Sequence, residues 1–110
     1  MGETPRNGMN EAAEAARRAA DVERLLPGEE PDTVYPDDAR HWVEVYSELL
    51  AVKGELITVT REARRGADPA VQTELSGTDL PIMEHERTRF ETRLAFWTGR
   101  LGALEAETTG

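Results

Sequence analysis

An unbroken heptad pattern of apolar residues between positions 36 and 65 constrains the fold of this chain most strongly. The pattern recurs at alternating steps of three and four residues: Trp42, Val45, Leu49, Val52, Leu56, Val59 and Ala63. Such a seam requires a helix and a partner that covers its apolar side. A second stripe lies beside the seam and consists of Val43, Tyr46, Leu50, Lys53 and Ile57. The apolar arc is therefore wide enough for more than one neighbouring helix.

A second seam of equal length follows the connection at 66–79. It begins after Pro81, a residue that is tolerated in the first turn of a helix. Its members are Met83, Arg87, Phe90, Leu94, Trp97, Leu101 and Leu104. Folding the two helices back on each other places Leu49 opposite Trp97 and Trp42 opposite Leu104. Within the first helix, Gly54 is either a tolerated glycine or a point where another backbone approaches closely.

These patterns divide the chain into a disordered start (1–9), an Ala-rich helical arm (10–26), a Pro-rich linker (27–35), an antiparallel helical hairpin domain (36–105) and a polar tail (106–110). The arm has a thin stripe of Ala12, Ala15, Ala19, Val22 and Leu26, which buries little area. The predicted fold is all-α. It is a long antiparallel helical hairpin with a weaker N-terminal helix, and a lone hairpin that exposes apolar surface is expected to dimerise into a four-helix bundle.

The charge of the chain restricts its partners. The formal net charge is −9, from 13 basic and 22 acidic side chains, which disfavours binding to nucleic acids and to anionic membranes. The chain contains no Cys, no apolar run long enough to cross a membrane, and no secretory signal in Met1 to Asn10. We therefore expect a cytoplasmic protein. Lys53 is the single lysine, a composition typical of a genome rich in G and C and here interpreted as bacterial.

Apolar positions beside the two seams are the predicted interface for a second copy or another protein. We expect them to stay uncovered when the two helices pair. They are Val43, Tyr46, Leu50, Ile57, Phe96 and Ala103.

Arg87 interrupts the second seam and has two interpretations. A polar residue at such a position often sets the register of a helix pair, here through an ion pair with Glu55 or Glu62. Alternatively, an arginine cluster near the loop end binds an anion, because guanidinium groups suit phosphate and carboxylate. The cluster comprises Arg61, Arg64, Arg65, Arg87 and Arg89.

Other chemistry has little support in the sequence. His41 and Glu44 have the spacing found in helical metal sites, with Glu48 one turn further, but neither histidine of the chain lies on an apolar seam, so we interpret these residues as surface side chains and keep a metal site as the alternative. No serine lies in a nucleophile elbow, and no glycine-rich loop follows a strand. The sequence therefore predicts a non-enzymatic regulator or adaptor without a cofactor, which binds itself or another protein through an exposed helix face. The alternative is a helical bundle that binds a small anion, a nucleotide or a metal.

Overall fold

The computed structural model describes residues 7–75 and 79–109, and all regular secondary structure in these ranges is α-helical. The four helices are α1 (Asn7–Ala20), α2 (Pro36–Arg65), α3 (Pro69–Leu75) and α4 (Asp79–Thr109). The prediction of an all-α fold is confirmed for the described residues. None of the helices in these ranges combines the length and apolar character needed to cross a lipid bilayer. The start of the chain at 1–6 and the expected turn at 76–78 lie outside the described residues.

Helix α2 begins and ends at residues that commonly mark helix termini. Pro36 opens the first turn, and Asp37 and Asp38 follow at the positive end of the helix dipole. Thr33 secures this start, because its hydroxyl donates to Asp38 Oδ2 (2.6 Å) and accepts from the Tyr35 backbone N–H (3.2 Å). At the other end, the Gly66 N–H donates to the carbonyl oxygen of Glu62 (3.3 Å). The predicted long helix is therefore observed between these signals.

Helix α1 differs from the predicted arm at both ends. It begins at Asn7, inside the stretch 1–9 that was expected to be disordered, and it ends at Ala20 rather than near residue 26. Asp21 ends the helix, because its carboxylate accepts the N–H of Glu23 (3.0 Å) and its carbonyl accepts the N–H of Arg24 (3.1 Å). Short acidic side chains compete in this way with helical hydrogen bonds. The predicted tail at 106–110 also differs, since α4 continues to Thr109.

The core forms where α2 and α4 pack against each other, and α1 lies against α4. Its buried members are Ala39, Tyr46, Phe90, Trp97 and Leu104. Aromatic rings from the two helices meet there: Trp42 stacks on Trp97 with centroids 6.4 Å apart, and Tyr46 lies 6.0 Å from Phe90. Leu49, Leu94 and Leu101 pack around this cluster.

Ion pairs join α2 to α4 at three levels. Arg40 near the start of α2 pairs with Glu105 near the end of α4 (2.9 Å), and Lys53 pairs with Glu86 (2.7 Å). Arg61 near the end of α2 pairs with Glu84 near the start of α4. The partly exposed pairs contribute little free energy each, so the aromatic core supplies most of the packing energy.

The structure corrects the face that is buried in the second half of α2, since Trp42 and Leu49 of the first seam do pack against the core. Tyr46 and Ile57, from the second stripe, are 0% and 1% exposed. Three members of the predicted seam instead stand half exposed: Val52 (52%), Leu56 (48%) and Val59 (60%). Val52 and Leu56 belong to the seam that was expected to pack against the second seam, and they are not buried in the structure. Both stripes are apolar, but only the second offers a phenol and a lysine that meet polar partners inside the packed chain.

Replacing Gly54 with alanine is expected to raise the free energy of unfolding by about 0.5–1 kcal/mol, because glycine loses more backbone freedom than alanine on entering a helix. A Cβ atom at Gly54 meets no atom within 4 Å. Urea unfolding followed by circular dichroism measures the change. The matched control is Gly28→Ala, which is expected to destabilise, because Gly28 has a φ of 84°. A destabilised Gly54→Ala variant would indicate close approach of another backbone.

Candidate functional site

A carboxylate buried between α2 and α4 accepts four hydrogen bonds. The Glu29 side chain is 0% exposed. Its Oε1 accepts from the Tyr46 hydroxyl (2.6 Å) and from the Leu26 N–H (2.8 Å). Its Oε2 accepts from Arg93 Nη2 (2.6 Å) and Trp97 Nε1 (2.7 Å). Four donors from three parts of the chain therefore converge on one carboxylate, which we call the Glu29 centre.

A tight turn in the segment after α1 places Glu29 in this position. The Glu29 N–H donates to the Leu26 carbonyl (3.0 Å), and Gly28 between them has a φ of 84°. Proline at the second position of a turn and glycine with positive φ at the third are the signature of a type II turn. Leu26 packs against the core beside it. The turn therefore anchors the segment by one apolar and one acidic side chain.

The hydrogen bonds at the Glu29 centre change two pKa values. Burial acts to raise the pKa of Glu29, but the donors from Tyr46, Leu26, Trp97 and Arg93 together outweigh it and leave that pKa lowered. For Tyr46, burial and the bond to the Glu29 carboxylate raise the pKa to about 12, against the smaller opposing effect of Arg93. Glu29 is therefore held ionised and Tyr46 protonated at neutral pH, which suits a structural ion pair more than proton transfer.

Tyr46 is expected to ionise near pH 12 in the folded chain, against an ordinary value of 10.0. Between these two pH values the unfolded chain binds fewer protons, so the free energy of unfolding falls as pH rises. Tyrosinate absorbance in a Tyr35→Phe background isolates the Tyr46 signal. Adding Glu29→Gln should lower the midpoint, since it removes the neighbouring negative charge. An ionisation midpoint at the ordinary value of 10.0 in the Tyr35→Phe chain would contradict the buried hydrogen bond between Tyr46 and Glu29.

Glu29 and Arg93 were not among the predicted functional residues. Residues 27–35 were interpreted as a linker, and Arg93 was not considered. Two signals in the sequence point to them: Leu26-Pro27-Gly28-Glu29 has the composition of a type II turn, and Arg93 stands between Phe90 and Trp97 on the same side of α4.

Three of the five predicted anion-binding arginines lie together. Arg61, Arg64 and Arg65 line an open groove of about 250 Å³ with Gln72. Arg61 also pairs with Glu84, and Arg64 Nε is buried without a hydrogen-bond partner in the described chain.

The other two predicted arginines lie outside the lining of this groove. Arg87 is half-buried and makes no ion pair with a described residue, so the expected pair with Glu55 or Glu62 is not formed. Arg89 is buried on α4, and the positive charge of Arg24 acts on it.

The predicted interface residues are distributed over core and surface. Tyr46 and Ile57 belong to the interior of the chain, which corrects the expectation that they stay uncovered. Val43 and Leu50 are partly buried against the core. Phe96 is 39% exposed and lies under the Arg93 guanidinium (4.8 Å), and Ala103 is exposed.

The exposed part of the first seam forms a continuous strip along α2. We call Val52, Leu56 and Val59 the α2 ridge, since steps of four and three residues place them on one side of the helix. Glu48, Glu55 and Glu62 are exposed and repeat every seven residues along one edge of this ridge. None of the three makes an ion pair within the described residues. The ridge therefore presents apolar side chains beside a row of negative charge.

The alternative metal-ligand set of His41, Glu44 and Glu48 is not brought together. His41, Glu44 and Glu48 are exposed, and the His41 ring packs edge-on against Trp42 with centroids 4.8 Å apart. Across 7–75 and 79–109, no three His, Asp or Glu side chains are grouped closely enough to hold a metal ion.

Comparison with models of protein families, with curated proteins and with solved structures finds no match for this chain. The geometry of the chain is therefore the basis for a proposal about its function.

Proposed function

We propose that this chain is a non-enzymatic protein-interaction module that binds an amphipathic helix of another protein along the α2 ridge. In this proposal α2 and α4 serve as an antiparallel hairpin scaffold. The observation that supports it is a heptad seam whose central members remain half exposed after α4 and α1 have packed. An apolar strip of this kind on a helix is the usual counterpart of an apolar strip on a partner helix.

The charge beside the ridge favours a basic partner over a second copy of the chain. Glu48, Glu55 and Glu62 line one edge, and the whole chain has a net charge of −9. Two copies packed antiparallel through the ridge would bring these glutamate rows face to face, and like charges at such positions repel. A partner helix with lysine or arginine beside its apolar strip would instead gain attraction and a faster association rate.

Burial alone supports only modest affinity. Each ridge side chain is about half exposed, so covering it contributes about 1 kcal/mol, and the ridge about 3 kcal/mol in total. A micromolar complex requires about 8 kcal/mol. The glutamate row and the surrounding half-buried side chains must therefore contribute, and the affinity is expected to fall as salt concentration rises.

Binding of two synthetic helices tests the proposal. Both helices carry a leucine strip with heptad spacing; one has lysines beside the strip and the other has glutamates. Tryptophan fluorescence or calorimetry should show saturable binding of the lysine helix that weakens with salt, and no binding of the glutamate helix. Val52→Ser with Val59→Ser should reduce the affinity at least about tenfold, because each lost apolar contact removes a large part of a small binding free energy.

The matched control uses valines on other surfaces. Val34 and Val71 are 64% and 47% exposed, so Val34→Ser with Val71→Ser removes similar side chains away from the ridge and should leave binding unchanged. Equal binding of both synthetic helices would contradict the proposal, as would equal losses in the two double variants. Sedimentation of the chain alone measures its oligomeric state. A dimer that becomes a monomer when Val52 and Val59 are replaced with serine would assign the ridge to a second copy instead.

A further inference from the structure

The groove at the turn between α2 and α3 brings three guanidinium groups to one cavity. Arg61, Arg64 and Arg65 near the end of α2 line this open groove of about 250 Å³, and Gln72 of α3 completes the lining. None of the described residues that line it is acidic. Cations are favoured at the C-terminal end of a helix, but that preference does not by itself require their side chains to share a cavity. We call this site the arginine groove.

The turn after α2 holds Gln72 against the arginines. The Ala67 N–H donates to the Arg64 carbonyl oxygen (3.1 Å), and Gln72 Nε2 donates to the Ala67 carbonyl oxygen (2.9 Å). Asp68 lies in the same turn but does not line the groove, and its carboxylate accepts the Ala70 N–H (2.9 Å). Because an amide nitrogen carries two N–H groups, Gln72 retains a second donor for a bound molecule.

The positive charges of the arginine groove are only partly compensated within the described chain. Arg61 pairs with Glu84, whereas Arg64 and Arg65 form no ion pair with a described residue. The Arg64 Nε atom is also buried without a hydrogen-bond partner there, and leaving a buried donor unpaired is unfavourable. Two guanidinium charges and one buried N–H are therefore available to an anion.

We infer that the arginine groove binds the phosphate group of a small phosphorylated molecule. Two guanidinium groups without a counter-charge match a phosphate monoester, which carries a charge of about −2 near neutral pH. The planar guanidinium group also donates in pairs to phosphate oxygens. Three of the five arginines predicted to bind an anion take part, and Arg87 and Arg89 do not. The groove shares no residue with the α2 ridge, so either proposal can fail without the other.

A titration with inorganic phosphate, followed through the arginine Nε–H signals by heteronuclear NMR, tests this inference. Chloride keeps the ionic strength constant, and acetate is the monoanion for comparison. We expect the Arg64 Nε–H signal to shift saturably with phosphate, while that of Arg24, an exposed arginine outside the groove, changes little. Acetate should bind at least about tenfold more weakly, because it carries one negative charge where phosphate carries nearly two.

Substitutions at the groove change the affinity in opposite directions. Arg65→Gln removes one of the two uncompensated charges and should weaken phosphate binding at least about fivefold. Glu84→Gln releases Arg61 from its ion pair and should strengthen phosphate binding about threefold. The matched control, Arg24→Gln, should keep the affinity of the unmodified chain. Arg65 and Arg24 are both exposed, so both variants are expected to fold, and circular dichroism in phosphate-free buffer checks this.

Three results of the titration of the unmodified chain would overturn the inference. They are the absence of a saturable Arg64 shift, equal shifts of Arg64 and Arg24, and acetate binding as tight as phosphate binding. Equal affinities of Arg65→Gln and Arg24→Gln would overturn it as well, because the charge of the groove would then not matter. So would a Glu84→Gln variant that binds phosphate no more tightly than the unmodified chain.

Discussion

Replacing Glu29 with alanine is expected to lower the free energy of unfolding by about 3–5 kcal/mol, because removing one partner of a buried ion pair leaves the other charge uncompensated. The variant leaves Arg93, Tyr46 and Trp97 directed at an empty position. Each of these groups donates to the carboxylate within 2.7 Å in the intact chain. Urea unfolding monitored by circular dichroism measures the loss.

Neighbouring substitutions separate the Glu29 carboxylate from general effects of lost charge. Glu30 is exposed, so Glu30→Ala is expected to change stability by less than about 0.5 kcal/mol. Tyr46→Phe removes a single donor and should have a smaller effect than Glu29→Ala, about 1–2 kcal/mol. Stabilities of Glu29→Ala and Glu30→Ala that agree within error would contradict the role assigned to the Glu29 centre.

The effect of Glu29→Ala should also depend on pH. The folded-state pKa of Glu29 is lowered by its four donors, so the unfolded chain takes up a proton before the folded chain does. The stabilisation is therefore fully present above the ordinary value of 4.5 and is lost as pH falls through the folded-state pKa. The difference between the unmodified chain and Glu29→Ala should shrink in acid.

Trp97→Ala is expected to destabilise the chain by about 3–5 kcal/mol, because a large aromatic side chain leaves a cavity that the surrounding core fills only in part. Trp97 is completely buried, stacks on Trp42 and donates to Glu29. The same unfolding measurement detects the loss. Trp97→Phe keeps an aromatic ring but removes the N–H donor, so it should lower the free energy of unfolding by about 1–3 kcal/mol.

The adjacent aromatic residue provides the control for Trp97. Phe96 is 39% exposed and contacts the Arg93 guanidinium from outside the core, so Phe96→Ala should cost about 1 kcal/mol. A loss from Phe96→Ala as large as that from Trp97→Ala would indicate that the aromatic core is centred elsewhere.

Local signals predicted the bounds of α2 and the buried side of α4. Pro36, the two aspartates after it and Gly66 act within one turn of the residues they affect, so sequence alone is sufficient. On α4, Phe90, Trp97 and Leu104 are the bulky members of one stripe, and these residues are buried. Asp21 shows the limit of such signals, because its side chain ends α1 inside a run of good helix formers.

The buried side of α2 could not be predicted in this way. Two apolar stripes compete there, and the decision depends on Glu29, which lies 17 residues before Tyr46 in the chain. A carboxylate in a Pro-Gly segment has no periodic signal, and three of its four donors lie at least 17 residues away in the sequence. Tyr46 is buried with its hydroxyl on Glu29, whereas Val52, Leu56 and Val59 on the other stripe are half exposed.

Methyl NMR of the chain with the lysine-flanked helix tests most directly whether the α2 ridge is the interaction surface. The methyl signals of Val52, Leu56 and Val59 should shift on addition of the helix, while the signal of Ile57, which is buried, and that of Val71, on α3, should change little. Shifts confined to Val71 or to residues around Phe96, or no shifts at saturating helix, would contradict the assignment of the ridge.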